Sequence, residues 1–300
     1  MSYTWRIKQM RKTSSLFLGL SLAASCIPIA AAQDPSLAPM KPPKYLQVTV
    51  EYTKPGKGGL AHDKTESAYV QAMIKAKYPI HYWAYNSMSG HPRAIFISGF
   101  NSFGELAKAN KIFDNPGVAA AVEPINVADG ELLQDTNQLI LSYADDISLR
   151  PDVDLFHHRF LEADILHVRQ GHIKEFMELA KMWVDLGQKA GPSAHWDCFR
   201  AEYGEDNGYF VCLTPDNSMD DIDASFADFN KAEAGLSDGD KNKMRDLRAA
   251  ALEEDRTEIY SVNPAQSYVP DAFIKADPGY WKPRTGAAPK PAAADKKPNP

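Results

Sequence analysis

Three hundred residues at 44% hydrophobic content can bury one large core or two small ones. The formal charge is −6, and it becomes −10 once the first 32 residues, which carry four bases and no acids, are set aside. An acidic body of this kind argues against non-specific nucleic-acid partners and against binding to anionic membranes.

Residues 1–32 read as a secretory signal peptide. Arg6, Lys8, Arg11 and Lys12 form a basic start, Leu16 to Ala24 is an apolar run too short for a membrane span, and Ala30-Ala31-Ala32 offers a small-residue cleavage site. The expected location is therefore outside the cytoplasm, periplasmic or secreted, with no stable membrane insertion after cleavage. Residues 33–44 contain four prolines and read as a loose leader. From Tyr45 the pattern has period two: Leu46, Val48, Val50 and Tyr52 alternate with Gln47, Thr49 and Glu51, as in a half-buried strand. A helix is expected after His62, then strands at 80–86 and 94–99. Ser102 with Glu105 forms a capping box that opens a second helix. An alanine-rich helical stretch near 117–134 and a strand at 138–143 complete the first unit. After a linker, a strand at 164–169 and a helix at 172–187 follow. Strands at 194–202 and 209–214 come next, and Ser218 with Asp221 caps a further helix. The last strand spans 257–262. Residues 282–300, rich in Pro, Ala and Lys, read as a disordered tail.

The second unit repeats the first. Asn101-Ser102-Phe103-Gly104-Glu105-Leu106 returns as Asn217-Ser218-Met219-Asp220-Asp221-Ile222, Gln134-Asp135 as Glu254-Asp255, and Pro151-Asp152 as Pro270-Asp271. The expected fold class is α+β, with two ferredoxin-like β-α-β-β-α-β repeats over 45–152 and 164–281, joined by a linker over 153–163. Each sheet carries its helices on one face, so the bare faces of the two repeats are expected to pack together as an intrachain barrel. Because one chain supplies both sheets, a monomer is expected.

This element order and duplication resemble the dimeric α/β-barrel superfamily, which includes antibiotic-biosynthesis monooxygenase-like, EthD-like and NIPSNAP-like domains. The resemblance covers about 45–271 and rests on no diagnostic motif. It implies a cavity between the two sheets that commonly holds an aromatic substrate or haem. None of the sequence patterns for a phosphate loop, a nucleophile elbow or a His-Glu-x-x-His zinc helix is present.

Strand alternation nominates the groups that would line such a cavity. Glu51, His81, Trp83, Tyr85, His167 and Phe199 are candidate ligand-binding residues. His195 with Asp197 could act as base and orienter, and Arg169 could hold an anion. The bland alternative, ordinary polar residues where two sheets meet, carries more weight. His62 and His172 read as helix-start residues, with haem or metal ligation as the sharper alternative. Asp152, Asp154, His157 and His158 read as a solvated linker, and no metal site is expected. Cys198 and Cys212 read as buried free thiols, because a two-residue turn at Asn207-Gly208 would set Cys212 opposite Tyr203; a bulged turn would instead admit a bridge between them. The expected function is binding of a small aromatic or hydrophobic molecule between the repeats, with no cofactor required and haem admitted by the resemblance. The rivals are a cofactor-independent or haem-dependent monooxygenase or isomerase, and a structural protein with a filled barrel.

Overall fold

The structure is a computed structural model that describes residues 40–282. The signal-peptide reading of 1–32, most of the leader and all but the first residue of the tail lie outside the described residues. Eight strands alternate with helices: β1 (Tyr45–Thr53), α1 (Leu60–Ala76), β2 (Tyr82–Ser87), β3 (Arg93–Phe100), α2 (Phe103–Asn110), α3 (Pro116–Gly130), β4 (Leu133–Tyr143), β5 (Phe160–Val168), α4 (Ile173–Ala190), β6 (Asp197–Tyr203), β7 (Tyr209–Asp216), α5 (Met219–Ala234), α6 (Asp238–Ala251) and β8 (Leu252–Val262). Two short helices follow, α7 (Asp271–Ala276) and α8 (Pro278–Trp281). Both nominated caps form, with the Ser102 hydroxyl accepting from the Glu105 amide and the Ser218 hydroxyl from the Asp221 amide.

All strand pairs are antiparallel, and they close into one barrel in the order β1-β3-β2-β8-β5-β7-β6-β4. The order is the same in each half, β4-β1-β3-β2 and β8-β5-β7-β6. The seams are β2 on β8 and β4 on β6, so both are made within one chain. Register agrees between the halves: Ala84 faces Phe96 in one inner hairpin, and Cys198 faces Cys212 in the other.

One apolar cluster draws on every strand, so it marks the barrel interior. It includes Leu46 and Val48 of β1, Ile95 and Ile97 of β3, Tyr85 of β2, Tyr260 and Val262 of β8, and Leu161 and Ala163 of β5. Val211 and Leu213 of β7, Phe199 and Ala201 of β6, and Leu139 and Leu141 of β4 complete the ring. Phe156 from the inter-half segment and Phe273 and Trp281 from α7 and α8 join the same cluster. Phe273 packs on Trp83, Phe156 and Trp281, and the Trp281 indole donates to the Phe156 carbonyl. Each such aromatic contributes on the order of 2–3 kcal/mol by leaving water. The lumen expected to be a ligand cavity is thus packed with side chains. The chain beyond β8 supplies part of that filling, which strand periodicity does not reveal. A polar exception is the buried Arg93–Glu258 pair, whose partners also bond the Tyr260 hydroxyl.

The free-thiol expectation gives way to its alternative, the bridge. Cys198 and Cys212 face each other directly with Cα atoms 4.0 Å apart and form a disulfide. The loop between β6 and β7 spans Gly204 to Gly208 rather than two residues. β6 also leaves β7 after Arg200 to follow β4, with an irregularity beside Ile140. The register therefore slides by five places from the one a tight turn would impose.

Candidate functional site

With the lumen packed, the polar groups of the sheet lie on its outer face, under the helices. On β1, Leu46 and Val48 point inward and Gln47, Thr49 and Glu51 point out toward α1 and α3. His62 is the third residue of α1, and Glu66 follows one turn later on the same side. Asp129 comes from the end of α3. His62, Glu66 and Asp129 are buried and Glu51 is mostly so. His62 Nε2 lies 3.0 Å from Glu51 Oε2 and 3.6 Å from Asp129 Oδ1. One ligand-type atom from each of the four residues lies within 4.8 Å of the others.

A second layer fixes this cluster. The Thr65 hydroxyl donates to Asp129 Oδ1 at 2.6 Å. The Gln266 amide nitrogen lies 3.3 Å from His62 Nδ1 and donates to Asp63 at 3.0 Å, and Asn263 donates to the same Asp63 oxygen. Burial raises the Glu51 carboxyl, with Asp129 adding to the effect and the His62 hydrogen bond opposing it. Burial, then the charges of Glu51 and Asp129, push Glu66 well up. For His62, burial acts downward, but the Glu51 hydrogen bond and the charges of Asp129, Glu51 and Asp63 outweigh it and raise the imidazole. A cavity of about 510 Å³ opens beside the cluster, bordered also by Gln47, Thr49, Tyr69 and Tyr82.

The second half holds a larger cleft, about 940 Å³, between the outer face of β5 and β7 and the helices α4, α5 and α6. Its walls include Phe176, Trp183, Trp196 and Phe229, and its floor carries Glu162, Asp164 and Asp216. Trp196 is held by donation from its indole to the Ile147 carbonyl at 2.8 Å. Gly187 of α4 lies so near that a Cβ there would sit 2.5 Å from the Trp196 ring, so only glycine lets helix and indole meet. Burial, then Asp216 and Asp164, lift Glu162 to about 7. Burial lifts Asp216 to about 6 against the pull of His195, and one buried Asp216 oxygen has no partner among the described residues.

The nominated residues distribute over several places. Trp83, Tyr85 and Phe199 do face the lumen, but as packed core, with Tyr85 and Phe199 almost fully buried. Glu51 faces the other way, because the apolar side of β1 is the one the dry lumen takes. His81 stacks on Tyr268 with ring centroids 4.5 Å apart. His167, at the end of β5, lies beside Glu253 and Tyr209. His195 borders the large cleft, with its ring nitrogens 2.7 Å from the Ser193 carbonyl and 3.0 Å from that of Pro215. A neutral ring can donate to only one of them. Asp197 carries a buried carboxyl that burial raises to about 7, against the opposing charge of His195. Arg169 is exposed beyond the opposite end of β5. His167 pairs with Tyr209 and Phe160 with Asp216, so Arg169 stands roughly 25 Å from His195 along the ladder. The structure does not bring these three together.

His157 is exposed beside Asp154, as a solvated linker requires, but His158 is not. His158 is completely buried, donates from Nδ1 to the Leu155 carbonyl, and accepts at Nε2 from the Tyr85 hydroxyl at 3.0 Å. Burial drives it down to about 4, so it stays neutral near pH 7. His172 stands at the N-cap position of α4, beside Glu175, without a side-chain cap bond.

Haem does not fit these residues. The lumen is filled, and both nitrogens of its histidine, His158, are bonded. The large cleft offers only His195, whose nitrogens face carbonyls, above a floor of carboxyl groups that would repel propionates.

No family model matches the chain, and no curated protein does. Among solved structures, an anthrone oxidase-like protein is similar at 16% identity and a TM-score of 0.47, over 73% of this chain and 92% of that one. A mutant chlorite dismutase from Candidatus Nitrospira defluvii is similar at 9% identity and a TM-score of 0.45, over 78% of this chain and 96% of that one. These likenesses carry nothing about chemistry, which rests on the residues described above.

Proposed function

We propose that this is an exported, monomeric member of the dimeric α/β-barrel superfamily, built of two ferredoxin-like repeats, that binds a small molecule in the cleft beneath α4–α6. The ligand class that fits has an aromatic or apolar body and a cationic group. One observation carries this reading: a cleft of about 940 Å³ combines a Trp183, Trp196 and Phe229 wall with an Asp216 carboxyl that is buried and partly unpaired. Aromatic faces and carboxylates together favour a cation whose ring can stack. The Cys198–Cys212 bridge supports export, since disulfides persist in oxidising compartments. A barrel that closes both seams within one chain leaves no sheet edge to pair with another copy, which supports a monomer.

The test compares two probes with the same ring, tyramine and its uncharged analogue 4-ethylphenol, by tryptophan fluorescence and calorimetry at pH 8. Tyramine should bind more tightly, and Asp216→Asn should remove most of the difference. Equal binding of both probes, or none of either, would sink the assignment. Native mass spectra of protein purified from an exporting host should show a mass excess that denaturation removes.

A further inference from the structure

The cluster under α1 and α3 is unlike a stabilising ion-pair network. Three carboxyl groups meet one imidazole, and neither lysine nor arginine is among the residues bordering the adjoining cavity. Even with His62 protonated, three ionised carboxyl groups would leave the cluster with an excess of negative charge. Glu66 is only 7% exposed, points into the cluster, and has no hydrogen bond or ion pair from any described residue. A buried carboxyl group without a partner, ionised or protonated, costs free energy that an apolar residue of similar size does not.

The fold does not demand these groups. Glu51 pairs with Ala94 and Thr136; the matching position, Leu166, pairs with Phe210 and Asp255. On the helix that follows, His62 and Glu66 one turn apart are answered by the buried pair Phe176 and Ala180, also one turn apart, which pack against Leu166. One half of the barrel thus fills these places with hydrophobic side chains, while the other converges four ligating atoms on one point.

We infer that Glu51, His62, Glu66 and Asp129 bind one first-row divalent metal ion. Three oxygens and one imidazole nitrogen are hard and borderline donors, which suit manganese(II), iron(II) or zinc(II) and disfavour copper(I). His62 would ligate through Nε2, the nitrogen that faces Glu51 and Asp129. That requires the proton on Nδ1. The amide oxygen of Gln266, a fully buried residue, has no partner among the described residues. Turning that amide over would present the oxygen to the Nδ1 proton; it would give up the bond from its nitrogen to Asp63 and require the oxygen to move off that carboxylate, which keeps its bond from Asn263. Thr65 orients Asp129 in the same manner. The cavity alongside leaves room for water or a small anionic group at an open coordination position.

The test uses the full chain, treated with chelator, dialysed, and titrated separately with manganese(II) and zinc(II) chloride. Calorimetry should show one equivalent of at least one ion binding, and Tm should rise with its concentration. Glu66→Gln keeps the size of the side chain and should weaken binding by about tenfold or more. Its Tm without metal should equal or exceed that of the parent, which separates lost ligation from misfolding. Asp216→Asn, in the other cleft, should bind metal as the parent does. The inference fails if neither ion binds one-to-one, or if Glu66→Gln binds as tightly as the parent. Either result leaves the tyramine experiment untouched, because the two sites share no residue.

Discussion

The two halves of the barrel share strand order and register but differ in what they place between sheet and helices. Beneath α1 the contents are compact and charged, with Glu51, His62, Glu66 and Asp129 converging on one point. Beneath α4 the corresponding depth is hydrophobic, with Leu166, Phe176 and Ala180 in one cluster, and the carboxyl groups spread over the floor of a wide aromatic cleft. Since the apolar arrangement is sufficient to hold a helix on this sheet, the charged one is an addition to the fold and not a condition of it. The difference also reaches the inner hairpins, where a disulfide in one half stands at the register position of Ala84 and Phe96 in the other.

The sharpest way to break the contrast is to make the apolar half charged at one position. Leu166→Glu buries a carboxylate without the imidazole that Glu51 has, and urea denaturation should show a loss of about 3–5 kcal/mol. Next comes the hairpin: Cys198→Ala with Cys212→Ala opens a bridge across a sequence separation of 14 and should cost about 3 kcal/mol. The converse exchange, Glu51→Leu with His62→Phe, Glu66→Ala and Asp129→Asn, which keeps an acceptor for Thr65, should stabilise the metal-free protein by about 1–4 kcal/mol and abolish metal binding. A loss of stability there would mean the charged cluster supports the fold. The smallest effect is one of pH. Asp216 and Glu162 have folded values of about 6 and about 7, above their unfolded ones. Their contribution is therefore complete below the unfolded pKa and is lost as pH rises through the folded values. Asp216→Asn should gain on the parent between about pH 4 and pH 6, by about 2–4 °C in Tm. His158 runs the opposite way: its folded value of about 4 lies below that of free imidazole, so stability declines as pH falls through about 6.5 toward 4. The comparison with Asp216→Asn cancels that contribution.

Much of the architecture was legible because strand periodicity and the duplicated Asn-Ser caps are local signals. The hairpin registers also set His81 and His195, 114 positions apart, at matching places in the two halves. The site was less legible. Alternation along β1 shows that Leu46 and Glu51 lie on opposite faces, but not which face meets a dry interior, and a polar face suggests a wet cavity. The interior is packed because Phe156, Phe273 and Trp281 reach it from segments without strand periodicity. His62 and Glu66, four apart on a helix, were a readable local pair. Asp129 lies 67 residues beyond His62, and no spacing rule joins it to them. The disulfide stood second to free thiols for a related reason, since it depends on where β6 leaves β7 for β4, which is set by a strand from the other half.

The closure of both seams within one polypeptide has an evolutionary consequence. In a barrel assembled from two identical subunits, every substitution appears twice, once on each side of the axis. A cluster such as Glu51, His62, Glu66 and Asp129 would then have to be borne in duplicate, with its electrostatic burden doubled. A single chain escapes that symmetry. One side can accumulate charge while the other keeps a hydrophobic seat for its helix, and each can be selected for a separate task without disturbing the shared sheet.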